Sequence, residues 1–391
     1  MNYDFETVVD RYNTGSYKYD MVVEINPQAA KEKTVPFTVA DMEVKTAPEI
    51  VEGLKKYVDE KILGYTGPTK EYYDAVIKWM DNRHQWKIEK EWIVNTPGVV
   101  GALFNSVRAY TKPSEGVIVF SPVYYPFYKS IELSERKVVK SSLVDINGRY
   151  EIDFVDFEEK AKDPNNKALM FCSPHNPGGR VWTKLELEEI ARICQKYNLL
   201  ILSDEIHFDL IMPGYEHIVF STINDWTKEN TVIFTAPSKS FSLAGLHISN
   251  IIIPNTNLRE RFQAEMDRLS GMSINLLGYE ATKIAYTQCE DWINQVNDLI
   301  YDNHLTLKKY FGENHKEIKV FDLEGSYLQW LDFNPLGLSD EDLKVLLHDD
   351  ALFFMTEGKI FGEEGEGFWR LNLACPKKVL LEALKRLTKA L

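Results

Sequence analysis

"TVIFTAPSKSFSLAGL", residues 231–246, opens on the apolar run Val232–Phe234 and stops it at Pro237. A lysine between two small hydroxyls follows, Ser238-Lys239-Ser240, and then a second apolar turn that closes near Gly245. A short run that is apolar throughout reads as a strand buried on both faces, because polar alternation disappears when neither face meets water. Lys239 therefore stands just past the carboxyl end of a buried strand. Taken alone it reads as a solvated charge, since an ammonium group is seldom buried unpaired. Its neighbours along the chain change that.

Four more runs of the same kind surround it: "GVIVF" (116–120), "ALMFC" (168–172), "NLLILS" (198–203) and "NIIIP" (250–254). Between the second and third lies "TKLELEEIARICQKYN". Its Thr183 and Glu186 form a capping box, and Leu187, Ile190, Ala191 and Cys194 recur at helical spacing. Strand, helix, strand in this rhythm predicts an α/β fold with a mostly parallel central sheet covered by helices. The end of the chain differs. "KVFDLEGSYLQWLDF" (319–333) is followed by charged helices, the last with Val379, Leu380, Ala383, Leu384 and Leu387 on one face. This predicts a smaller α+β domain over residues 286–391, joined by an N-terminal segment, 1–35, with a large domain over 36–285 between them.

Bulk properties narrow the function classes. A chain of 391 residues is long for a single core. A net charge of −14 argues against nucleic acid or an anionic membrane as partner. No apolar run approaches the roughly 20 residues that span a bilayer, and "MNYDFETVVDRYNTG" is too polar for a secretory signal. Cys172, Cys194, Cys289 and Cys375 form no C-x-x-C pair, as expected of reduced thiols in a cytoplasmic protein.

In open parallel sheets, ligands bind beyond the carboxyl ends of the strands. The residues after each run are therefore informative. "GVIVF" is followed by Tyr124 and Tyr125, "ALMFC" by His175 and Asn176, "NLLILS" by Asp204 and His207, and "TVIFT" by Lys239. Each has an ordinary reading as a turn residue, cap or surface charge; four successive strand ends delivering them to one crevice read as a site. "NTPGVVGALFNSVRAY" (95–110) adds Pro97-Gly98 before a helix with apolar Val100, Leu103, Phe104 and Val107. A glycine there lets backbone N–H groups approach an anion, which the helix dipole favours; the same dipeptide also suits a plain turn. Ser238 and Ser240 offer hydroxyls to that anion. No glycine loop precedes Lys239 as a P-loop requires, and neither H-E-x-x-H nor G-x-S-x-G occurs. Cys172 near His175 reads as core more readily than as a nucleophile.

A lysine, an acid, an aromatic face and a phosphate cradle meet the needs of pyridoxal 5′-phosphate. Lysine holds its aldehyde as a Schiff base, and a carboxylate keeps its ring nitrogen protonated. A substrate α-carboxylate then needs a planar cation, for which Arg370 in "GFWRLNLACP" is the candidate.

These motifs resemble the fold-type I pyridoxal-phosphate enzymes of the class I/II aminotransferase superfamily, nearly end to end. The similarity is greatest to the cystathionine β-lyase (C–S lyase) branch of the MalY and PatB proteins. It rests on "FTVADME" (37–43), "GYTGP" (64–68), "SPHNPGGRVW" (173–182), "SDEIHFDL" (203–210), "APSKSFSLAGL" (236–246), "EGSYLQWLDF" (324–333) and "GEGFWRLNLACP" (365–376). The resemblance implies an aspartate aminotransferase-like fold with Lys239 as the Schiff-base lysine and proton shuttle. It implies Asp204 at the ring nitrogen, His207 and Asn176 near the ring oxygen, and Tyr124 stacked on the ring. Gly98, Val99, Val100 and Ser238 would hold the phosphate, and Arg370, with Asn176, the substrate carboxylate. Tyr65 would reach the site from a neighbouring subunit, which implies a homodimer with shared active sites acting on small amino acids. One departure stands out: His247 occupies the position where many aminotransferases carry a phosphate-binding arginine. The branch implies a β-lyase that releases thiol, pyruvate and ammonia. An aminotransferase and a regulator that keeps the fold remain as alternatives.

Overall fold

The computed structural model describes residues 3–269 and 274–391; residues 1 and 2 of the N-terminal segment, and 270–273 within the expected large domain, lie outside the described residues. Strands β1 (Ile93–Thr96), β2 (Gly116–Ser121), β3 (Lys137–Ser142), β4 (Asn166–Cys172), β5 (Leu200–Asp204), β6 (Thr231–Thr235) and β7 (Ser249–Ile252) form one sheet. Their order is β1-β7-β6-β5-β4-β2-β3. From β3 through β6 the pairings are parallel, and β7 runs antiparallel to both its neighbours.

All five apolar runs lie in this sheet, for the physical reason expected of them. Val117, Val119, Met170 and Leu202 pack into a core on one face, and Ile118, Phe120, Leu169 and Ile201 into a core on the other. The two strands without such a run are the sheet edges. β3 carries Lys137 and Lys140 and is largely solvated, and β1 has only four residues. Edge strands need no continuous apolar sequence, and lysines there discourage pairing with other chains.

Helix Lys184–Tyr197 forms with both halves of the Thr183–Glu186 capping box present, and it buries Leu187, Ile190, Ala191 and Cys194. Asn198 is not the first residue of a strand. It ends this helix in the left-handed region at φ 56°, and β5 starts two residues later. Helix Val99–Tyr110 buries Val99, Ala102, Leu103 and Val107, so the expected face is turned: Val100 is 39% exposed. The turn follows from packing against helix Thr256–Arg268, where Asn105 donates to the Phe262 carbonyl at 3.0 Å.

A second, antiparallel sheet holds β8 (Lys319–Val320), β9 (Leu328–Asp332), β10 (Thr356–Glu357) and β11 (Phe368–Asn372) in the order β8-β9-β11-β10. Helix Lys377–Ala390 buries the five apolar residues expected of it. The N-terminal residues pack on this unit. Phe37 donates to the Phe354 carbonyl at 2.8 Å, Asn372 donates to the Phe37 carbonyl at 3.1 Å, and Val22 and Ala29 cluster with Leu352 and Phe354. No helix among the described residues is long and apolar enough to cross a membrane. All four cysteines are free and buried.

Candidate active site

The carboxyl ends of β2, β4, β5 and β6 open on a cavity of about 610 Å³. Tyr124, Tyr125, Cys172, Asn176, Asp204, His207, Ser238 and Lys239 line it from the large sheet, and Pro97, Gly98, Val99 and Val100 line it from the start of helix Val99–Tyr110. Arg370 enters from β11 of the small sheet. His247 stands at its rim, exposed and at φ 47°.

Lys239 sits on the single helical turn Pro237–Ser240, directly after β6. Its Nζ donates to the Ala40 carbonyl at 2.8 Å. Burial and then the nearby Arg370 charge push its pKa down to about 8, against the opposing pull of Asp41 and Asp204. Asp204, the last residue of β5, accepts from the Ile206 N–H at 3.2 Å and forms no ion pair among the described residues. Burial pushes its carboxyl up to about 7. His207 shares Nδ1 with the Ser326 hydroxyl at 3.1 Å, and burial, with Lys239 and Arg370, holds it well below the ordinary imidazole range.

Arg370 is 5% exposed and also lacks an ion-pair partner among the described residues. Its Nη1 donates to Asn176 Oδ1 at 2.9 Å, its Nη2 to Thr356 Oγ1 at 3.4 Å, and its guanidinium lies 4.7 Å from the Phe361 ring centroid. Burial lowers its pKa to about 10, so it stays charged near neutrality. Gly98 precedes helix Val99–Tyr110 at φ +105°, a conformation open to glycine and strained for other residues. The first N–H groups of that helix lack intrahelical acceptors, and its first residues, Val99, Val100 and Gly101, line the cavity.

Other expected residues lie elsewhere. Ser240 is buried behind the cavity and donates to Asp209 Oδ2, so it is not available to an anion at the Gly98 turn. His175 is buried away from the cavity lining, with Nδ1 accepting from the Gly178 N–H at 3.3 Å. Cys172 lines the cavity, but burial holds its thiol far above the thiolate range, which disfavours it as a nucleophile. Tyr65 lies outside its own chain's cavity, fully exposed on the loop before helix Lys70–His84.

Two features escaped the sequence. The Ala40 carbonyl accepts from both Lys239 and Tyr327 Oη, each at 2.8 Å. A backbone acceptor has no side-chain signal. Asp209 collects the Trp79 indole, His84 Nε2 and Arg83 Nε at 3.0, 2.9 and 3.1 Å, together with Ser240. It thereby ties the residue beside Lys239 to helix Lys70–His84. Its place five residues after Asp204 was the available clue.

Residues 32–387 match the family described as aminotransferase class I and II. The chain belongs to that family. It is 36% identical over 388 residues to the cystathionine β-lyase PatB of Bacillus subtilis, covering 99% of this chain and all of the relative. It is 30% identical to the protein MalY of Escherichia coli, over all of this chain and 99% of MalY. The crystal structure of cystalysin from Treponema denticola, which contains pyridoxal 5′-phosphate, superposes with a TM-score of 0.98 at 51% identity, covering all of this chain and 99% of cystalysin. The residues present fit that cofactor on their own chemistry. Asp204 is a buried acid short of a cation, Lys239 a buried amine with a depressed pKa, and the first turn of helix Val99–Tyr110 a set of N–H groups without intrahelical acceptors; the Gly98 N–H itself is taken by the Thr96 carbonyl at 2.8 Å.

Proposed function

We propose that the chain is a pyridoxal-phosphate-dependent carbon–sulfur β-lyase, converting cystathionine or related cysteine S-conjugates to a thiol, pyruvate and ammonia. The observation that carries this is the meeting of three ionisable groups, Lys239, Asp204 and Arg370, in one cavity with no ion pair among the described residues. Such groups are costly to bury unpaired, and a bound cofactor and amino acid together supply the missing charges. The lyase assignment is supported by likeness to a cystathionine β-lyase over the full chain.

When bound, pyridoxal phosphate supplies an aldehyde that captures the substrate amine and a ring that delocalises the electron pair left at Cα. The N–H groups of Val99 and Val100, with the Ser238 hydroxyl, would hold the phosphate. Asp204 would keep the ring nitrogen protonated, and Tyr124 would cover a ring face. Asn176 and His207 would serve the ring oxygen. Arg370, steadied by Asn176 and Phe361, clamps the α-carboxylate and so fixes which Cα bond faces Lys239. Lys239 Nζ then takes the Cα proton; a depressed pKa leaves a useful fraction of free amine near neutrality. Removal of that proton would let the Cβ–S bond break with its electron pair passing to the thiolate, and with one water consumed the products would be thiol, pyruvate and ammonia.

In this scheme residues 36–285 bind the cofactor, and 286–391 with 1–35 carry Arg370. A homodimer completes the site, with Tyr65 directed to its partner's phosphate. Support comes from Ile62, Leu63 and Tyr65, which are 91%, 57% and 109% exposed on one loop, too much apolar surface to leave bare. Four free, buried thiols support a reducing, cytoplasmic setting.

The test is to supply S-methylcysteine with no 2-oxo acid present. Pyruvate, ammonia and methanethiol are expected in equal amounts over many turnovers. Arrest after about one turnover, relieved by 2-oxoglutarate, overturns the lyase assignment in favour of an aminotransferase. A colourless protein that takes up no cofactor overturns both.

A further inference from the structure

The mouth of the cavity differs in chemistry from its floor. Tyr17, Met21 and Ile25 of helix Tyr17–Ile25 line the cavity with Ile360, Met355 and Trp369; Tyr17, Ile25 and Ile360 are 73%, 45% and 41% exposed and so mark the opening, while Met355 and Trp369 lie buried. Asn26, which ends the helix, anchors it by donating to the His348 carbonyl at 3.1 Å and to Asp349 Oδ1 at 3.0 Å. Thioether, aliphatic and aromatic groups dominate. Among the described residues, the lysines and arginines lining the cavity are Lys239 and Arg370, both already engaged at the floor. His348 stacks on Phe354 at 5.4 Å, and burial holds its pKa below the ordinary value, so it is neutral near pH 7. The ionisable carboxylate at this wall is Glu357, which pairs with Lys344 at 3.2 Å.

We propose that this mouth is the leaving-group subsite, and that it selects cysteine S-conjugates with an apolar substituent on sulfur over those ending in a second carboxylate. This rests on the β-lyase assignment and on Arg370 holding the α-carboxylate. An alkyl or aryl group entering here exchanges water for Met21, Met355 and Ile360, which is favourable. A terminal carboxylate gives up its hydration against the same side chains, and Lys344, the cation beside this wall, is already paired with Glu357 at 3.2 Å. Cystathionine carries such a carboxylate on the far side of its sulfur. It therefore belongs to the disfavoured group even though an ammonium accompanies it.

The experiment compares S-propylcysteine, S-benzylcysteine, S-(2-carboxyethyl)cysteine and cystathionine with the holoenzyme, reading pyruvate. The two apolar conjugates are expected to exceed the two carboxylated ones in kcat/KM by about tenfold or more. Equal or reversed efficiencies overturn the proposal, including a reversal caused by a cation from a partner subunit. Ile360→Arg places a cation at a surface position of the same wall and is expected to narrow the gap at least about threefold; an unchanged gap counts against the subsite lying there. Binding provides an arm independent of turnover. Norleucine and 2-aminoadipate carry no leaving group on Cβ, and norleucine is expected to bind at least about tenfold tighter. If no conjugate yields pyruvate while norleucine still binds tighter, the β-lyase assignment fails and the subsite stands. If all yield pyruvate equally well and the two ligands bind alike, the lyase stands and the subsite fails.

Discussion

Replacing Arg370 by alanine isolates the step that orients the substrate. The guanidinium is 5% exposed, held by Asn176 Oδ1 at 2.9 Å and Thr356 Oγ1 at 3.4 Å, and free of any carboxylate among the described residues. A charge-assisted pair lost from such a site costs about 2–5 kcal/mol. At about 1.4 kcal/mol per tenfold, kcat/KM for S-methylcysteine should fall by about 30-fold to a few thousandfold. Most of the loss should appear in KM, because the carboxylate is bound in the ground state as well as during reaction. Cofactor affinity should change little, since Arg370 stands on β11 while the residues assigned to the cofactor stand on the large sheet and the Gly98 turn. Arg370→Lys keeps the charge but loses the fork, so it should recover only part of the loss. The assay is pyruvate release coupled to lactate dehydrogenase, with cofactor affinity followed by visible absorbance. A rise in KM below about threefold, roughly 0.7 kcal/mol, would refute the assignment and require another cation for the carboxylate.

Lys239→Ala should abolish covalent attachment: borohydride reduction of the wild-type protein should label a peptide containing Lys239, and a label found elsewhere defeats the assignment. Capture of pyridoxal phosphate by the cofactor-free protein should speed up as pH rises through about 8, where burial has brought the Lys239 pKa, rather than near 10.5. Rapid-mixing absorbance measures it, and a rate still climbing steeply well above pH 9 contradicts it. Asp204 has its folded-state pKa raised to about 7 from 3.8, so the folded cofactor-free protein binds the extra proton and loses stability as pH rises between those values. Asp204→Asn should therefore melt higher than wild type at pH 8 without cofactor, with the advantage shrinking toward pH 4, while its lyase activity falls by about a hundredfold or more. A lower melting temperature at pH 8 contradicts the cause given for the shift. Tyr65→Ala and Lys239→Ala should each be impaired alone, yet an equal mixture allowed to exchange subunits should recover about a quarter of wild-type activity, because half the dimers regain one intact site. No recovery after demonstrated exchange counts against shared sites.

The five apolar runs specified the central sheet by themselves, because a strand covered on both faces must be apolar whatever its neighbours are. The same logic placed Tyr124, Asn176, Asp204 and Lys239 in one cavity: parallel strands end on the same side, so residues after successive runs converge. Edge strands β1 and β3 escaped because an edge has no such requirement, and the antiparallel direction of β7 escaped because burial pattern carries no sense of direction. Ser238 and Ser240 are indistinguishable in sequence, yet one faces the cavity and the other donates to Asp209, since a single helical turn points neighbouring side chains in different directions. Arg370 could be named from its motif, but its lack of a counter-ion depends on what the small sheet brings beside it across the cavity. Local pattern is enough where a residue's surroundings are set by its own strand or helix; where they are set by a distant segment, as at the Ala40 carbonyl beneath Lys239 and Tyr327, tertiary packing decides.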